Sequence, residues 1–323
     1  MKINGACAVL AAVACAATHA HAAADAPQYP VRPVRIIVSA TPGGTVDLVA
    51  RVLSPRLGER LAQPFVVDNR AGAGGIVAAE LLIRSAPDGH TLGCIFTSFT
   101  TNVALRRQAP YDPVRDIAPV TLVSWSPLVL VANTGLGVES VRDLIALAKA
   151  KPLYYGSSGN GSGGHMSVEL FKWMTGVNAT HVPYKGAAAA TNDVIAGQVQ
   201  FEIVGPVTVL ALAKAGRLKL LAVTSAKRNS SMPDVPTVDE SGVAGFDVVN
   251  WFGIVAPAKT PAALVLRLNR EIVATLQIAD VRQKLAAEGA EIIAGTPAEF
   301  GAFIQRDVEK WRKVVAAARI SAE

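Results

Sequence analysis

The sequence contains few cysteines, few clustered charges and, after residue 22, no hydrophobic run long enough to span a membrane. Three cysteines occur among 323 residues, and two of them lie within residues 1–22, so Cys94 has no partner for an internal disulfide. No basic residue stands beside Cys94 to lower the pKa of its thiol, which predicts a buried structural residue. The formal net charge is +6, but the lysines and arginines are scattered and lack interleaved aromatic residues. We therefore expect no nucleic-acid partner.

Residues 1–22 have the pattern of an export signal. Lys2 precedes an alanine-rich apolar run and an Ala-His-Ala cleavage pattern, which predicts a mature protein that begins near Ala23 in the periplasm. The apolar run is too short, and too poor in large side chains, to span a bilayer as an anchor. Lipid attachment at Cys15 is disfavoured because Ala12 stands where the attachment motif usually has leucine.

After residue 22, short β-branched runs alternate with amphipathic segments, which is typical of an α/β sheet with helices on its faces. The length favours two lobes. Two apolar stretches, "IAPVTLVSWSPLVLVAN" and "FDVVNWFGIVAP", are expected to lie side by side as the crossing strands of a hinge. We assign residues 23–125 and 250–323 to lobe one and residues 126–249 to lobe two. The C-terminal helices are expected to pack on lobe one.

A glycine turn follows the first apolar run, in "IIVSATPGGTVDLVAR" at residues 36–51. A strand, a tight turn and a helix in this order leave free backbone N–H groups at the helix N-terminus, where an anion binds favourably. The stretch lacks the Lys-Ser/Thr of a P-loop and the Gly-x-Gly-x-x-Gly of a dinucleotide site. It therefore predicts a different anion site. Gly43 and Gly44 are expected to be required, either for a positive-φ turn or for the space that the anion occupies.

Two further glycine loops occur in the second half of the chain. In "YYGSSGNGSGGHMSVELF" a loop of Ser, Gly and Asn precedes a helix, and in "HVPYKGAAAA" the residues Tyr184, Lys185 and Gly186 precede another. One such loop is an ordinary turn between a strand and a helix. Three of them at strand ends predict close backbone approach to a ligand in a cleft.

The order of these motifs resembles the Bug family of periplasmic solute-binding proteins, which serve tripartite tricarboxylate transporters. The resemblance covers nearly the whole mature chain, through "YPVRPVRIIVSATPGGTVDLVAR", "FVVDNRAGAGGIVAAE", "APDGHTL", "PYDPVRDIAPVTLV", "YGSSGNGSGGHMSVELF", "HVPYKGAAAA", "LAVTSAKRNSSMPDVPTVDESG" and "WFGIVAPAKTP". It implies a two-lobed, Venus-flytrap periplasmic-binding-protein fold. Such a protein closes on a small organic acid, a mono- or dicarboxylate and sometimes an amino acid or aromatic acid, and delivers it to membrane transporter subunits.

The resemblance also implies which residues hold one ligand carboxylate, largely through backbone N–H groups and ordered waters. They are Thr41, Gly43, Gly44, Thr45 and Asp47 in lobe one, and Ser157, Ser158, Gly159, Asn160, Gly161 and Ser162 in lobe two. We add Tyr184, Lys185 and Gly186 of the third loop as candidate ligand-binding residues. The sequence departs from the family pattern in "SATPGG", where "PFAPGG" is commoner, and in "EIVGPVTVL", which lacks the usual Asp or Asn. These departures leave the identity of the acid open.

Several of these residues have a structural interpretation beside the functional one. Asp47 is an acceptor for a ligand amine or hydroxyl, or an acid that stabilises the first turn of a helix without any ligand; we favour the second. Lys185 attracts an anion or is a solvated surface lysine. His165 donates to the ligand or caps a helix. Trp125 and Trp251, in the crossing strands, are interpreted as hinge or cleft-wall packing.

An enzyme is the main alternative class. Ser157, Ser158, His165, His181 and Asp193 supply the residue types of a hydrolase triad, but "GSSGN" does not match the Gly-x-Ser-x-Gly nucleophile elbow. No His-Glu-x-x-His or paired-cysteine motif indicates a metal, so we expect no catalysis, no metal and no cofactor. A sensory binding protein that presents its ligand to a membrane receptor would have the same fold, and the sequence leaves that alternative open. We expect a monomer.

Overall fold

The structure is a computed structural model that describes residues 29–106, 108–287 and 289–320, so the predicted signal peptide lies outside the described residues. The strands are β1 (Val34–Val38), β2 (Phe65–Asn69), β3 (Thr91–Phe96), β4 (Ile117–Pro127), β5 (Val129–Asn133), β6 (Leu153–Ser157), β7 (Ala179–Pro183), β8 (Phe201–Val204), β9 (Leu218–Val223), β10 (Val249–Pro257) and β11 (Glu291–Ile292). The α-helices are α1 (Thr45–Leu61), α2 (Ile76–Ile83), α3 (Ser98–Leu105), α4 (Val141–Ala150), α5 (Gly163–Thr175), α6 (Ala187–Ile195), α7 (Pro206–Lys214), α8 (Ala262–Leu276), α9 (Ala279–Ala287) and α10 (Pro297–Ala318). Short 3-10 helices occur at Ala73–Gly75 and Thr134–Leu136. Among these helices, none has the length and hydropathy that crossing a bilayer requires.

The first sheet has the strand order β11-β4-β10-β3-β1-β2. β1 pairs in parallel with β2 and β3, whereas β10 lies antiparallel between β3 and β4. Because successive residues of a strand point to opposite faces, Ile36 packs with α1 and α8, and Ile37 packs with α2, α3 and α10. Helices therefore cover both faces of this sheet, which explains why its strands are nearly continuous apolar runs.

The second sheet has the strand order β7-β6-β8-β5-β9. β6 is parallel to β7 and β8, and β5 is antiparallel to β8 and β9. Helices α4 and α5 cover one face, where the core includes Phe171 and Phe201. Helices α6 and α7 cover the other face, where the core includes Val194 and Val209. Each sheet thus has its own two-sided core.

The two apolar stretches that were expected to lie side by side do so through β4 and β10, whereas the end of the first stretch forms β5 of the second sheet. β4 and β10 pair antiparallel along their length, with Trp125 opposite Trp251. The chain passes from the first sheet to the second between β4 and β5 and returns into β10. This is the predicted α/β architecture with two crossing strands.

The C-terminal helices differ in part from the expectation that all of them pack on lobe one. α8 covers the first sheet, but α10 contacts both cores. Phe300 and Ile304 pack on the first sheet, and Trp311 packs in the core of the second sheet with Phe171 and Phe246. The helix has 22 residues and is therefore roughly 33 Å long, so its two ends reach different cores.

Cys94 lies in β3 and is fully buried. Burial raises the pKa of its thiol to about 12, so the thiol is protonated at neutral pH. The residue is a small apolar member of the core, as the sequence predicts.

Candidate functional site

A cavity of about 320 Å³ lies between the two sheets. Its walls are the segments that follow β1, β2 and β3 in the first half of the chain and β6, β7 and β8 in the second half. Leu128, Asn250 and Phe252, from the crossing segments, complete the wall. Ligands of α/β proteins bind at the carboxyl ends of the strands, and this volume is that of a small-molecule site.

Four helices begin at the cavity wall with a glycine and without a side-chain cap. The N-cap residues of α1, α2, α6 and α7 are Gly44, Gly75, Gly186 and Gly205, and all four line the cavity. Of the helices that begin elsewhere, α4 and α10 are capped by the side chains of a serine and a threonine, whereas α3 and α8 have no side-chain cap. Uncapped N–H groups and the positive end of the helix dipole attract anions. The four N-termini therefore give this wall a geometry that favours an anion.

The two glycines of the first loop have different roles. Gly43 has a φ of +88°, in the left-handed region that favours glycine. Gly44 has a φ of −91°, which any residue adopts, and a Cβ placed on it would meet no atom within 4 Å. The turn therefore requires Gly43, whereas Gly44 keeps space open in front of α1.

Asp47 lies behind the cavity wall and is 3% exposed. Its carboxylate accepts hydrogen bonds from the N–H of Gly43 (3.0 Å), from Nε of Arg51 (2.9 Å) and from Nδ2 of Asn69 (2.9 Å). Burial alone would raise the pKa of this carboxyl, but the hydrogen bonds outweigh it and lower the pKa. The contacts support the structural interpretation of Asp47 as an ionised group that fixes the first loop.

The second glycine loop satisfies much of its own hydrogen bonding. The N–H of Gly159 donates to Oγ of Ser157 (3.1 Å), and the N–H of Gly161 donates to Nδ1 of His165 (3.1 Å). The N–H of His165 donates to Oγ of Ser162 (3.3 Å), so that serine caps α5. This loop is a fixed wall, in contrast to the uncapped helix start of the first loop.

A stack of aromatic rings lies behind the second loop. The ring centroids of His165 and His181 are 4.2 Å apart, and those of His181 and Tyr155 are 4.9 Å apart. Burial is the main cause that lowers the pKa of His165 to about 4 and that of His181 to about 3. His181 also lies 2.6 Å from Oγ of Ser157, through Nε2. Neither histidine lines the cavity, so the contacts of His165 are structural.

The third loop closely approaches the segment that follows β1. The hydroxyl of Tyr184 donates to the carboxylate of Asp193 (2.6 Å), and burial, followed by that carboxylate, raises the pKa of Tyr184 to about 12. Lys185 is exposed at the cavity edge. A Cβ on Gly186 would lie 2.4 Å from Oγ1 of Thr41. Asp193, considered above as a triad acid, therefore bonds a tyrosine rather than a histidine.

Most of the predicted ligand-binding residues lie together in the cavity wall. They are Thr41, Gly43, Gly44, Thr45, Ser158, Gly159, Asn160, Ser162, Tyr184, Lys185 and Gly186. Asp47, Ser157 and Gly161 are not in the wall but behind it, where they hydrogen-bond within the loops. Contact of each residue with a ligand stays a prediction.

The wall also contains residues that the sequence motifs do not predict. Arg106 follows α3, and its Nη1 donates to Oδ1 of Asn102 (2.5 Å). Asn250 in β10 is 8% exposed, and its Oδ1 has no hydrogen-bond partner among the described residues. The glycine-rich segment after β2, residues 71–75, also lines the cavity. Its glycine content is the sequence feature that could have predicted this position. "ALRRQAP" offers no comparable signal for Arg106.

The charge of the wall has one sign. Within the described part of the chain, Arg106 and Lys185 are the charged residues that line the cavity, and no Asp or Glu lines it. A positively charged wall with low-dielectric surroundings concentrates anionic ligands. An ammonium group in the same place would find no carboxylate partner.

The two halves of the molecule touch beside the cavity. A Cβ on Gly205 would lie 2.6 Å from Oγ1 of Thr45, and a Cβ on Gly74 would lie 2.2 Å from the carbonyl oxygen of Asn160. Glycine at these positions therefore permits the close approach of the two halves.

Comparisons with known proteins agree with this architecture. A family model described as "Tripartite tricarboxylate transporter family receptor" matches residues 49–320. Protein BugT of Bordetella pertussis is 38% identical over 295 residues, which cover 90% of this chain and 90% of that protein. A protein of Pseudomonas sp. strain P51, from the tcbD-tcbE intergenic region, is 34% identical over 318 residues, which cover 97% and 95% of the two chains.

Solved structures have the same fold. Rpa4515 of R. palustris, determined with adipate, has a TM-score of 0.87 and 38% identity, covering 91% of this chain and 99% of that one. MatC of Rhodopseudomonas palustris, with bound malate, has a TM-score of 0.84 and 30% identity, covering 89% and 100%. The periplasmic binding protein BugD has a TM-score of 0.87 and 30% identity, covering 91% and 99%. The two-lobed fold and the resemblance to Bug proteins are thus confirmed, and the chain belongs to the receptor family of tripartite tricarboxylate transporters.

Proposed function

We propose that this protein is a periplasmic receptor that captures a small organic carboxylate between its lobes and delivers it to a membrane transporter. The observation that carries the proposal is the convergence of four uncapped helix N-termini on one cavity. A carboxylate there gains charge-assisted hydrogen bonds, and each helix dipole contributes about 0.3–1 kcal/mol. The adipate and malate in the structures of Rpa4515 and MatC support the same ligand class.

The charge and apolar surface of the wall favour an acid without an amine. Transfer of an ammonium group from water into the cavity would remove hydration without supplying a carboxylate. Leu128, Ile203 and Phe252 provide apolar contact for a carbon skeleton. Of the ligand classes that the family resemblance allows, plain mono- and dicarboxylates and aromatic acids therefore fit better than amino acids.

A panel of ligands tests carboxylate capture. We expect mono- and dicarboxylates to raise the melting temperature of the protein and the corresponding neutral amides to leave it unchanged. A ligand specific to the folded state at one hundred times its Kd stabilises that state by about 2.7 kcal/mol. Amides that stabilise as well as acids would contradict the proposal, as would a protein that no acid stabilises.

We also propose that residues 23–125 and 250–323 form lobe one, apart from the end of α10 that packs in the second core, and that residues 126–249 form lobe two. The lobes close as rigid bodies about the crossing segments. Gly205 allows a specific test, because its φ of −64° suits any residue and a Cβ on it would meet Thr45 of the other lobe. Gly205→Ala should weaken ligand binding and prevent the fall in radius of gyration that saturating ligand causes in the wild type. Adding Thr45→Ala removes the clashing hydroxyl and should restore closure. A radius of gyration that ligand leaves unchanged in the wild type would contradict lobe closure.

We infer that the protein does not transform its ligand. Ser157 and His181 are hydrogen-bonded but lie behind the cavity wall, and Asp193 is engaged by Tyr184. Incubation with a broad set of esters and amides should give no turnover above buffer. Turnover that disappears in Ser157→Ala or Ser158→Ala would instead support a serine hydrolase.

A further inference from the structure

We propose that Arg106 binds a second anionic group of the ligand and so makes the cavity selective for dicarboxylates. This inference rests on the proposed carboxylate capture and identifies the substrate class of the same site. Arg106 lines the cavity at the end of α3 and is half-buried there. The family resemblance implies a single carboxylate held by backbone N–H groups, so an arginine in the wall is an additional anion-binding group.

A chain of hydrogen bonds holds the guanidinium of Arg106 at the wall. Its Nη1 donates to Oδ1 of Asn102 (2.5 Å), and Nδ2 of Asn102 donates to the carbonyl of Gly74 (2.8 Å). Asn102 is 1% exposed. Because the amide of Asn102 is fixed at both ends, the guanidinium has a defined position before any ligand arrives, which reduces the entropy lost on binding.

The guanidinium retains donors for a ligand. Arginine carries five N–H donors in a planar fork that matches a carboxylate. Within the described residues, no Asp or Glu forms an ion pair with Arg106, whereas Arg51 pairs with Asp47 and Arg56 with Asp280. Arg106 also borders a surface pocket that contains acidic residues, but none of the described ones is within ion-pair distance of it.

Arg106 and the start of α1 lie at different contacts between the lobes. At the first contact, Thr45 of α1 adjoins Gly205, the N-cap of α7. At the second contact, a Cβ on Gly161 would lie 2.6 Å from Oδ1 of Asn102, the partner of Arg106. A monocarboxylate can occupy only one of these anion-binding positions. A dicarboxylate can occupy both, with its carbon chain against the apolar part of the wall.

Calorimetric titration with matched ligands tests the proposal. Succinate, glutarate, adipate and pimelate are compared with their monoamides, which keep the length and remove one charge. We expect the best diacid to bind at least about tenfold more tightly than its monoamide, because a hydrogen bond to a charged group contributes that much or more. Arg106→Gln should remove this preference and change the affinity for the monoamide less than about threefold. Arg106→Lys, which keeps the charge but loses the fork, should retain part of it.

Arg312→Gln is the matched control, since it removes a cation from the neighbouring surface pocket, outside the cavity, and should preserve the preference for diacids. The assignment of Arg106 to the second anion-binding position is wrong if the wild type binds monoamide and diacid equally. It is also wrong if a folded Arg106→Gln variant loses affinity for both ligands to the same extent. Either result leaves carboxylate capture intact. Absence of binding for every acid and monoamide would instead contradict the proposed function itself. Where Arg106→Gln does not fold, Arg106→Lys is compared with the wild type instead, and an undiminished preference for diacids in that variant would contradict the role of the guanidinium fork.

Discussion

The loops that follow β1 and β6 are both rich in glycine, but they differ in hydrogen bonding. α1 begins at Gly44 with no side-chain cap, whereas α5 begins at Ser162, whose hydroxyl accepts the N–H of His165. The N–H groups of Gly159 and Gly161 are also engaged within the second loop. Glycine content therefore predicts close backbone approach, but it does not predict which loop keeps its donors for a ligand.

The difference also identifies α1 as a helix that lacks a stabilising cap at the point where a ligand would bind. A side-chain cap contributes about 0.5–2 kcal/mol to a helix, and α1 lacks this contribution although an ordinary serine or aspartate could provide it. The N-cap of α1 has the extended backbone conformation that capping residues adopt. An uncapped helix facing a cavity therefore fits a site where the ligand acts as the cap.

The largest effect is expected from giving the first loop a cap of its own. In Gly44→Asp, the new carboxylate accepts the N–H groups of α1 and repels an anionic ligand from the same space. Carboxylate affinity should fall about a hundredfold, which corresponds to roughly 2.7 kcal/mol, while the melting temperature stays equal or rises. Calorimetry and thermal denaturation measure the two quantities on the same preparation.

Gly44→Ala is the matched control for this substitution, because it adds a Cβ in open space without a capping oxygen. Its loss of affinity should be much smaller. If Gly44→Asp binds the acid as well as the wild type, the N-terminus of α1 is not the anion site.

The second expected effect is a pH dependence of the protein's stability, which arises from His165 behind the second loop. Burial lowers the pKa of His165 to about 4, whereas an unfolded histidine titrates near 6.5. The unfolded chain therefore binds a proton between these values that the native protein does not, and stability falls as the pH falls from about 6.5 towards 4. Each buried histidine lowers the free energy of unfolding by about 1 kcal/mol for every unit by which the pH falls in this window.

Glu202 acts in the opposite direction, since burial raises its pKa to about 8 and its contribution to stability grows as the pH falls below that value. The effect of His165 is therefore measured as a difference between proteins. His165→Asn keeps an acceptor for the N–H of Gly161 but does not titrate. The free energy of unfolding of the wild type should fall relative to this variant between pH 6.5 and 4.5, and parallel curves would show that His165 does not carry the effect.

The alternation of apolar runs and amphipathic segments predicts the two sheets, and paired apolar stretches predict the neighbouring strands β4 and β10. These features follow from burial, which leaves a pattern in the sequence. The identity of the residues in the cavity wall follows from this burial pattern only in part. Arg106 and Asn250 reach the wall through the packing of α3 and the path of β10, and no local pattern records that packing. The hydrogen bonding of the second loop also involves His181, which is 24 residues from Ser157 in sequence. No local pattern therefore predicts it.

A third and smaller effect is expected from removing the cap of the second loop. Ser162→Ala deprives α5 of its side-chain acceptor and should destabilise the protein by about 1 kcal/mol. Ligand affinity should change less than about threefold. Ser140→Ala, which removes the cap of α4 away from the cavity, is the matched control and should cost similar stability. A large loss of affinity in Ser162→Ala alone would show that its hydroxyl contacts the ligand and that the second loop resembles the first.

The last prediction concerns two adjacent serines that divide the second loop into a structural and a ligand-facing part. Ser157 is buried and bonds Gly159 and His181, whereas Ser158 lines the cavity. Ser157→Ala should therefore lower the melting temperature. Ser158→Ala should leave it unchanged and weaken carboxylate binding by about 0.5–1.5 kcal/mol, or up to about 3 kcal/mol if the hydroxyl bonds the charged group directly. If Ser158→Ala instead lowers stability and preserves affinity, this part of the loop makes no ligand contact, and recognition of the acid belongs to the uncapped helices.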